Sequence, residues 1–350
     1  MKNKKNFINK VEFMNKFTVS PMCQYSSSNG CPSDWHYHHL RNLIETGAGS
    51  IVIESTAVSK IGRITKNDLC LYNKTHLIAH KKLVKYLKDI KNIPLILQIS
   101  HSGRKGSSEV PWIKKNKPLS KSKGWVTWAP SSIRRSKNWP KPKQMTKKEI
   151  NRVVKEFSYS AKLAYEAGYD GIEIHMAHGY LVHEFCSPVT NKRSDEFGLK
   201  NNSYKFPLDI LKSIKKNLPK KKIIGARITA KDYLPDGIQI NDSINLVKQL
   251  KINGLNYVCV SSGGIIPITN MKFFKGYRLK LAHEIKKNCK IITRTSGLID
   301  NYSTINKAIK KYKIDFIALG RILIKDKYFL IKNKKLGINY DFKQYTYCLN

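Results

Sequence analysis

The sequence predicts an α/β fold, a closed (β/α)8 or TIM barrel with a capping loop after the third strand. Short runs of β-branched and aliphatic residues alternate eight times with amphipathic stretches along the 350 residues, and strict alternation implies parallel strands joined by helical crossovers. Polar side chains recur where these strands end, and that is the face on which such a barrel carries its site. We therefore expect one barrel over residues 1–350, without a domain boundary.

The first half of the chain supplies four predicted strands, at residues 17–22, 49–55, 94–99 and 171–174. Their nearly continuous apolar runs are typical of parallel strands buried on both faces. Helices are predicted at 33–46, 74–90 and 146–167, the last with a capping box from Thr146 to Glu149 and a closing Gly168. Residues 102–145 interrupt the alternation and are rich in Pro, Ser, Lys and Trp, which predicts an ordered cap over the site containing a small hairpin.

The second half continues the same pattern. Strands are predicted at 222–228, 255–260, 290–294 and 315–319, with helices at 202–218, from Asp242 onward, at 277–287 and before the last strand. Glycines follow the last two strands, at Gly297 and Gly320. Eight strand and helix repeats in this length favour a closed barrel over an open sheet.

Composition places limits on location and partners. No apolar run reaches 18 residues, the basic start MKNKKNFINK lacks the apolar core of a signal peptide, and seven cysteines are scattered without a Cys-x-x-Cys pair. These features predict a cytoplasmic protein without a membrane span, a disulfide framework or an iron–sulfur cluster.

The formal net charge of +41 leaves two interpretations open. A basic surface could bind nucleic acid. The lysines, however, are spread over nearly every predicted helix, and heavy use of Lys, Asn and Ile is what AT-rich coding produces, so coding bias is the preferred explanation. Any affinity for polyanions that follows from charge alone is nonspecific and falls steeply with salt.

The most informative segment follows the fourth strand. There His175, His178 and Tyr180 occur together around Gly179, as they do where a strand end forms part of a site. Two histidines could also ligate a metal, but no strong third ligand follows at a helical offset, so zinc is the weaker interpretation.

Other strand ends suggest a large phosphorylated cofactor. Gly297 and Gly320-Arg321 follow strands seven and eight, where glycine turns opening onto helix starts usually bind phosphate. A flavin fits the remaining residues, because Gln98 can bond its pyrimidine edge and Arg227 can stabilise the anionic reduced ring. Glu54 and Glu173 lie within strands, where we expect structural roles.

These motifs together resemble the old yellow enzymes, FMN-dependent NADPH dehydrogenases and ene-reductases, in their thermophilic-like xenobiotic reductase branch. The matching segments, in chain order, are Ser20-Pro-Met-Cys-Gln-Tyr25, Glu54-Ser-Thr-Ala57, Gly62-Arg-Ile-Thr65, Gln98-Ile-Ser-His-Ser-Gly-Arg-Lys105, Trp128-Ala-Pro-Ser131, residues 170–198, Ser261-Ser-Gly263 and Leu319-Gly-Arg321. They span nearly the whole chain, and the segment 170–198 is the most specific of them.

The resemblance implies a set of roles. FMN is expected to contact Ser20, Pro21, Met22, Cys23, Ser55, Gln98, Arg227, Gly297, Gly320 and Arg321. His175 and His178 would hold the carbonyl oxygen of an enone-type substrate, Tyr25 would touch the same substrate, and Tyr180 would supply the proton. NADPH would be the hydride donor in a ping-pong cycle that reduces activated C=C bonds of unsaturated carbonyl or nitro compounds.

The sequence departs from the branch in three places. Asn15-Lys16 replaces the usual Asn-Arg, the cap segment Ser107–Trp125 is longer and more basic, and residues 345–350 lack the C-terminal Arg that often reaches a neighbouring subunit. The last difference predicts an altered contact in any homo-oligomer. The alternatives are a related FMN barrel acting on dienoyl-CoA-like substrates or on tRNA dihydrouridine positions, or a barrel scaffold that binds polyanions.

Overall fold

The structure, a computed structural model, describes residues 6–114, 117–200, 204–267, 270–336 and 338. The strands are β1 (Asn6–Ile8), β2 (Val11–Phe13), β3 (Phe17–Val19), β4 (Ser50–Ala57), β5 (Leu95–Ser100), β6 (Trp128–Ala129), β7 (Lys143–Gln144), β8 (Gly171–Met176), β9 (Ile223–Thr229), β10 (Tyr257–Ser261), β11 (Ile292–Thr295) and β12 (Phe316–Leu319). The α-helices are α1 (Asp34–Ile44), α2 (Lys74–Ile90), α3 (Lys147–Glu166), α4 (Leu181–Cys186), α5 (Lys205–Asn217), α6 (Ile240–Ile252), α7 (Leu279–Cys289), α8 (Tyr302–Asn306), α9 (Arg321–Lys325) and α10 (Phe329–Lys332).

Eight of these strands close into a parallel barrel, which confirms the predicted fold class. The order around the barrel is β3-β4-β5-β8-β9-β10-β11-β12, and β12 pairs with β3 to complete it. All eight correspond to the predicted strands. Every residue of β4, β5 and β8 is buried, as expected for strands covered by helices on one side and by the barrel interior on the other.

The barrel interior contains a buried ion pair beneath the carboxyl ends of the strands. Arg294 donates to the Glu173 carboxylate, Tyr257 Oη donates to it at 2.9 Å, and Gln98 Nε2 donates at 2.7 Å. Glu173 and Arg294 are at most 1% exposed. The structural role expected for Glu173 is therefore confirmed, and its carboxylate is satisfied by a network of hydrogen bonds, as a buried charge requires.

An antiparallel hairpin of β1 and β2 closes the lower end of the barrel, and the sequence did not predict it. Asn9 occupies the turn with φ +55°, and its side-chain amide donates to the carbonyls of Lys220 and Lys222. Ile8 and Phe13 are buried against side chains of the barrel interior. Strands of three residues are too short to be recognised from alternation alone.

The cap differs from the prediction in one respect. Its two short strands, β6 and β7, pair in parallel with Trp128 opposite Lys143, so the expected hairpin is wrong. Residues 130–142 lead from one strand to the start of the other, as a parallel pair requires. The cap is tied to the barrel through hydrogen bonds such as Trp125 Nε1 to the carbonyl of Ile61, at 3.1 Å.

Two helices also differ from expectation. Helix α6 begins at Ile240, because Asp242 is the third residue of a capping box and accepts from the backbone N–H of Gln239 at 2.8 Å. The short helix α4 follows β8 and was not predicted. The helix predicted at 202–218 is α5 in the structure. Its expected start near residue 202 lies outside the described residues, as does the C-terminal segment 345–350.

Two further observations concern the described part of the chain only. None of its helices combines the length and apolar character needed to span a membrane. Its six cysteines are all free thiols.

Candidate active site

The structure brings His175, His178 and Tyr180 together at the carboxyl end of β8. The His175 and His178 ring centroids are 5.2 Å apart, and those of His175 and Tyr180 are 4.6 Å apart, in edge-to-face arrangements. His178 and Gly179 both have positive φ, +60° and +73°, which turns the chain sharply from the strand into α4. The sequence predicted this cluster, and the turn explains how three neighbouring residues can face one point.

Neighbouring strands fix the orientation of the two imidazoles. His178 Nε2 lies 2.6 Å from Ser261 Oγ at the end of β10, and its backbone N–H donates to Thr229 Oγ1 on β9 at 3.1 Å. His175 Nδ1 accepts from the backbone N–H of Ala177 at 3.3 Å. Because Nδ1 of His175 accepts, its proton lies on Nε2.

Both imidazoles are neutral at ordinary pH. Burial lowers the pKa of His175 and of His178 well below the usual value, and the nearby guanidinium of Arg227 lowers each further. Burial also raises the pKa of Tyr180 above its usual value, so its phenol keeps its proton. The cluster is therefore a set of neutral hydrogen-bond donors.

Lys105 lies directly beside this cluster, although the sequence analysis gave it no role. Its Nζ donates to the carbonyl oxygen of His178 at 2.7 Å and lies 5.0 Å from the Tyr180 ring centroid. Burial lowers the pKa of Lys105 to about 7, and the charge of Arg135 contributes in the same direction. A lysine contributed by one strand end and pointing at another cannot be identified from spacing in the sequence.

The loop after β3 carries Cys23 and Tyr25 and is held by a buried carboxylate. Glu54 accepts from the backbone N–H of Gln24 and lies 2.8 Å from His36 Nε2, which confirms the structural role expected for Glu54. Burial raises the pKa of Cys23, with a further contribution from the charge of Glu54. Cys23 is therefore a protonated thiol, and not a thiolate nucleophile.

A cavity of about 540 Å³ opens next to this loop, at the ends of β11 and β12. Among the residues expected to contact FMN, its lining includes Ser20, Pro21, Met22, Arg227, Gly297, Gly320 and Arg321. Ser55 and Gln98 lie elsewhere and are buried, and Cys23 is not in the lining. Gln98 is oriented from below through its hydrogen bond to Glu173.

The cavity suits a phosphorylated group because of its arginines and its glycine turn. Arg227, Arg278 and Arg321 all line it, and Arg227 Nε is buried without a hydrogen-bond partner among the described residues. Gly297 has φ +138°, and a Cβ there would come within 3.2 Å of the Tyr277 ring. The turn at this position therefore favours glycine, which leaves its backbone uncovered by a side chain. Helix α9 has only five residues, so we assign no phosphate-binding role to its N-terminus. The guanidinium groups supply the positive charge of the cavity.

Arg278 is a charged residue of this cavity that the sequence did not predict. Its guanidinium donates to Ser262 Oγ at 3.1 Å and to Ser296 Oγ at 3.3 Å. Burial lowers its pKa to about 10, which leaves it charged at neutral pH. Arg278 lies directly before α7, and not at the carboxyl end of a strand, where the sequence predicts site residues. The available signal was an arginine in the Gly276-Tyr-Arg278 turn before that helix.

Comparison with known proteins supports a single family. The model of the NADH:flavin oxidoreductase / NADH oxidase family matches residues 7–339. The NADPH dehydrogenase of Clostridium acetobutylicum is 35% identical over 343 residues, which are 96% of each chain. That of Listeria monocytogenes serotype 4b is 36% identical over 322 residues, 91% of this chain and 90% of the relative.

Solved structures show the same fold at lower identity. The old yellow enzyme homologue from Zymomonas mobilis has a TM-score of 0.79 at 19% identity, over 95% of this chain and 92% of its own. Morphinone reductase has a TM-score of 0.76 at 18% identity, over 96% and 89%. 2-Naphthoyl-CoA reductase has a TM-score of 0.84 at 22% identity, and the match covers 95% of this chain but only 52% of that one. The chain therefore belongs to the NADH:flavin oxidoreductase / NADH oxidase family and is an FMN-dependent oxidoreductase.

Proposed function

We propose that this enzyme uses NADPH to reduce the activated C=C bond of α,β-unsaturated carbonyl compounds. The observation that carries the proposal is the cluster of two neutral imidazoles and one neutral phenol at the barrel mouth. Neutral donors beside a flavin cavity suit a substrate oxygen that gains negative charge during the reaction.

The cofactor would lie between the cavity and this cluster. Its phosphate would be held by Arg278 and Arg321 with the backbone at Gly297 and Gly320, and its ring by Ser20, Pro21, Met22, Cys23, Ser55, Gln98 and Arg227. When bound, FMN supplies the hydride that it has accepted from NADPH. The whole chain would act as one flavin-binding unit, with residues 102–145 as its cap, and the family match over residues 7–339 supports this.

His175 and His178 would bind the carbonyl oxygen of the substrate. His175 has its Nε2–H free to donate, because Nδ1 already accepts from Ala177. Ser261 would donate to His178 Nε2, and the proton of His178 would then lie on Nδ1. Two hydrogen bonds to one oxygen strengthen as charge develops on it, so they favour the transition state over the ground state.

Tyr180 would supply the proton to the α carbon, and Tyr25 would contact the substrate from the loop after β3. A phenol whose pKa is raised by burial remains protonated at working pH. Lys105, whose Nζ lies 5.0 Å from the Tyr180 ring centroid, favours the tyrosinate that forms on proton transfer, because a nearby cation stabilises an anion.

Anaerobic reduction tests the proposal. Purified protein should bind FMN and turn yellow, NADPH should bleach the flavin, and added enone should restore the colour. His175→Ala and His178→Ala should each weaken phenol binding to the oxidised flavin by roughly tenfold or more, because a hydrogen bond to a charged oxygen is lost. His283→Ala, at the half-buried α7 histidine bonded to the carbonyl of Tyr312, is the matched control. Phenol affinity unchanged in both site variants would refute the carbonyl clamp.

A further inference from the structure

Lys105 projects a charge into the site and has hydrogen-bond donors beyond those that its protein contacts use. Its side chain lies beside Tyr180, and one of its three N–H donors is directed to the carbonyl of His178. None of the ion pairs found among the described residues includes Lys105. An ammonium with donors to spare next to the reacting groups can bind an anionic ligand.

A second cation, Arg135, is held in the same place by the cap. The buried Arg104 donates to the carbonyls of Ile133 and Arg134 at 3.2 and 3.1 Å, and to Ile265 at 2.7 Å. These bonds fix the cap backbone immediately before Arg135, whose guanidinium lies 4.4 Å from the Trp139 ring centroid. Arg135 interacts electrostatically with both Lys105 and Tyr180, so its charge acts on both groups.

The groups around Lys105 leave this region positive. Three cations lie in this region, namely Lys105, Arg104 and Arg135. The carboxyl group of Glu184 interacts electrostatically with Lys105. Burial raises the pKa of Glu184 to about 8, so this carboxyl is largely protonated at neutral pH and does not cancel the cations. The remaining neighbours, His175, His178 and Tyr180, are neutral.

We propose that Lys105 and Arg135 form an anion-binding subsite beside Tyr180, which selects activated alkenes that carry a carboxylate or phosphate group. The proposal rests on the proposed function and adds a substrate class to it. The carbonyl of such an alkene would lie on His175 and His178, while its anionic group would bind the two cations.

The test compares an acid with its own ester. Reduced enzyme is mixed with 4-oxocyclohex-2-ene-1-carboxylate or with its methyl ester, and flavin reoxidation is followed by stopped flow. The readout is the ratio of kcat/KM for the acid over the ester, in which general damage to the site cancels. The wild type should favour the acid by roughly tenfold or more, as charge-assisted hydrogen bonds do. Lys105→Met and Arg135→Gln should each bring the ratio near one.

Three controls separate the outcomes. Lys310→Met, at an exposed lysine at the opposite end of the barrel, should leave the ratio unchanged. The ratio should fall as the pH rises from 6 to 8.5, because burial lowers the pKa of Lys105 to about 7, and this dependence should vanish in Lys105→Met. Binding of 4-hydroxybenzoate and its methyl ester to the oxidised flavin, followed by absorbance, gives the same comparison without turnover.

The results that overturn the subsite are distinct from those that overturn the proposed function. Equal reduction of acid and ester by the wild type, or a ratio unaffected by both variants, refutes the subsite. The subsite is also refuted if the two variants are impaired only in the rate of flavin reduction by NADPH, because the cations would then bind the phosphates of NADPH. Failure of reduced enzyme to reduce either alkene counts against ene reduction, and the hydroxybenzoate titration still decides whether the anion binds.

Discussion

Substitution of Gly179 tests whether the loop geometry at the end of β8 controls activity. In Gly179→Ala the new Cβ would lie 2.4 Å from the carbonyl oxygen of Gly264, in the loop after β10. The two loops meet backbone to backbone, since a Cβ on Gly264 would likewise come within 2.7 Å of His178 Cα. Neither neighbour can rotate away, as a side chain could.

The expected effect follows from these contacts. Real Cβ contacts are not shorter than 3.0 Å, so one backbone must move by at least about 0.6 Å. A displacement approaching 1 Å can lower a rate by about a hundredfold, and the displaced residues include His178. The positive φ adds about 1–2 kcal/mol of destabilisation for alanine. We expect kcat/KM for an enone to fall by roughly 10- to 100-fold while the protein stays folded.

The control is a second glycine with positive φ that lies away from the site, where alanine should cause a similar loss of stability. Gly168 closes α3 at the opposite end of the barrel with φ +97°, and its Cβ would meet only Val84 Cγ1 at 3.2 Å. Gly168→Ala should lower the free energy of unfolding by a similar amount and leave kcat/KM within about twofold. If Gly179→Ala reduced the enone as fast as the wild type, or if both variants lost activity equally, the loop argument would be refuted.

Three further changes are expected to have measurable results. Arg278→Met should weaken FMN binding to the apoprotein by roughly tenfold or more in a fluorescence titration, through loss of charge-assisted bonds; unchanged affinity would exclude it from the phosphate site. Arg294→Met should lower the free energy of urea unfolding by about 3–5 kcal/mol, because it leaves Glu173 buried and unpaired; a loss below about 1 kcal/mol would contradict this. The contribution of Glu184 to stability should decline between about pH 4.5 and 8, because burial raises the pKa of Glu184 to about 8 in the folded state, so the unfolded chain releases that proton first. Glu184→Gln should flatten this decline, and an identical pH profile would show that Glu184 does not contribute.

Much of the fold could be predicted because its signals are local. The barrel strands are short apolar runs, and the capping box from Thr146 to Glu149 is visible in four residues and present in the structure. The hairpin of β1 and β2 was missed because each of its strands has three residues. The parallel pairing of β6 and β7 depends on the path of the cap, which sequence patterns do not encode.

The candidate site likewise contains residues that the sequence predicts and residues that it does not. His175, His178 and Tyr180 are neighbours in sequence, so their proximity could be predicted. Lys105 and Arg278 reach the site from elements whose side chains converge only after the barrel closes. Their charge and partners depend on burial, which is a property of the folded chain.

The hairpin of β1 and β2 has a consequence for the electrostatics of the whole barrel. Ile8 and Phe13, 1% and 2% exposed, seal the lower end beneath the Glu173 and Arg294 pair. These two side chains fill the lower end of the interior. The pair therefore lies in a low-dielectric medium, where its charges are weakly screened. A hairpin of two three-residue strands, remote from the candidate site, thus helps to keep water away from the ion pair.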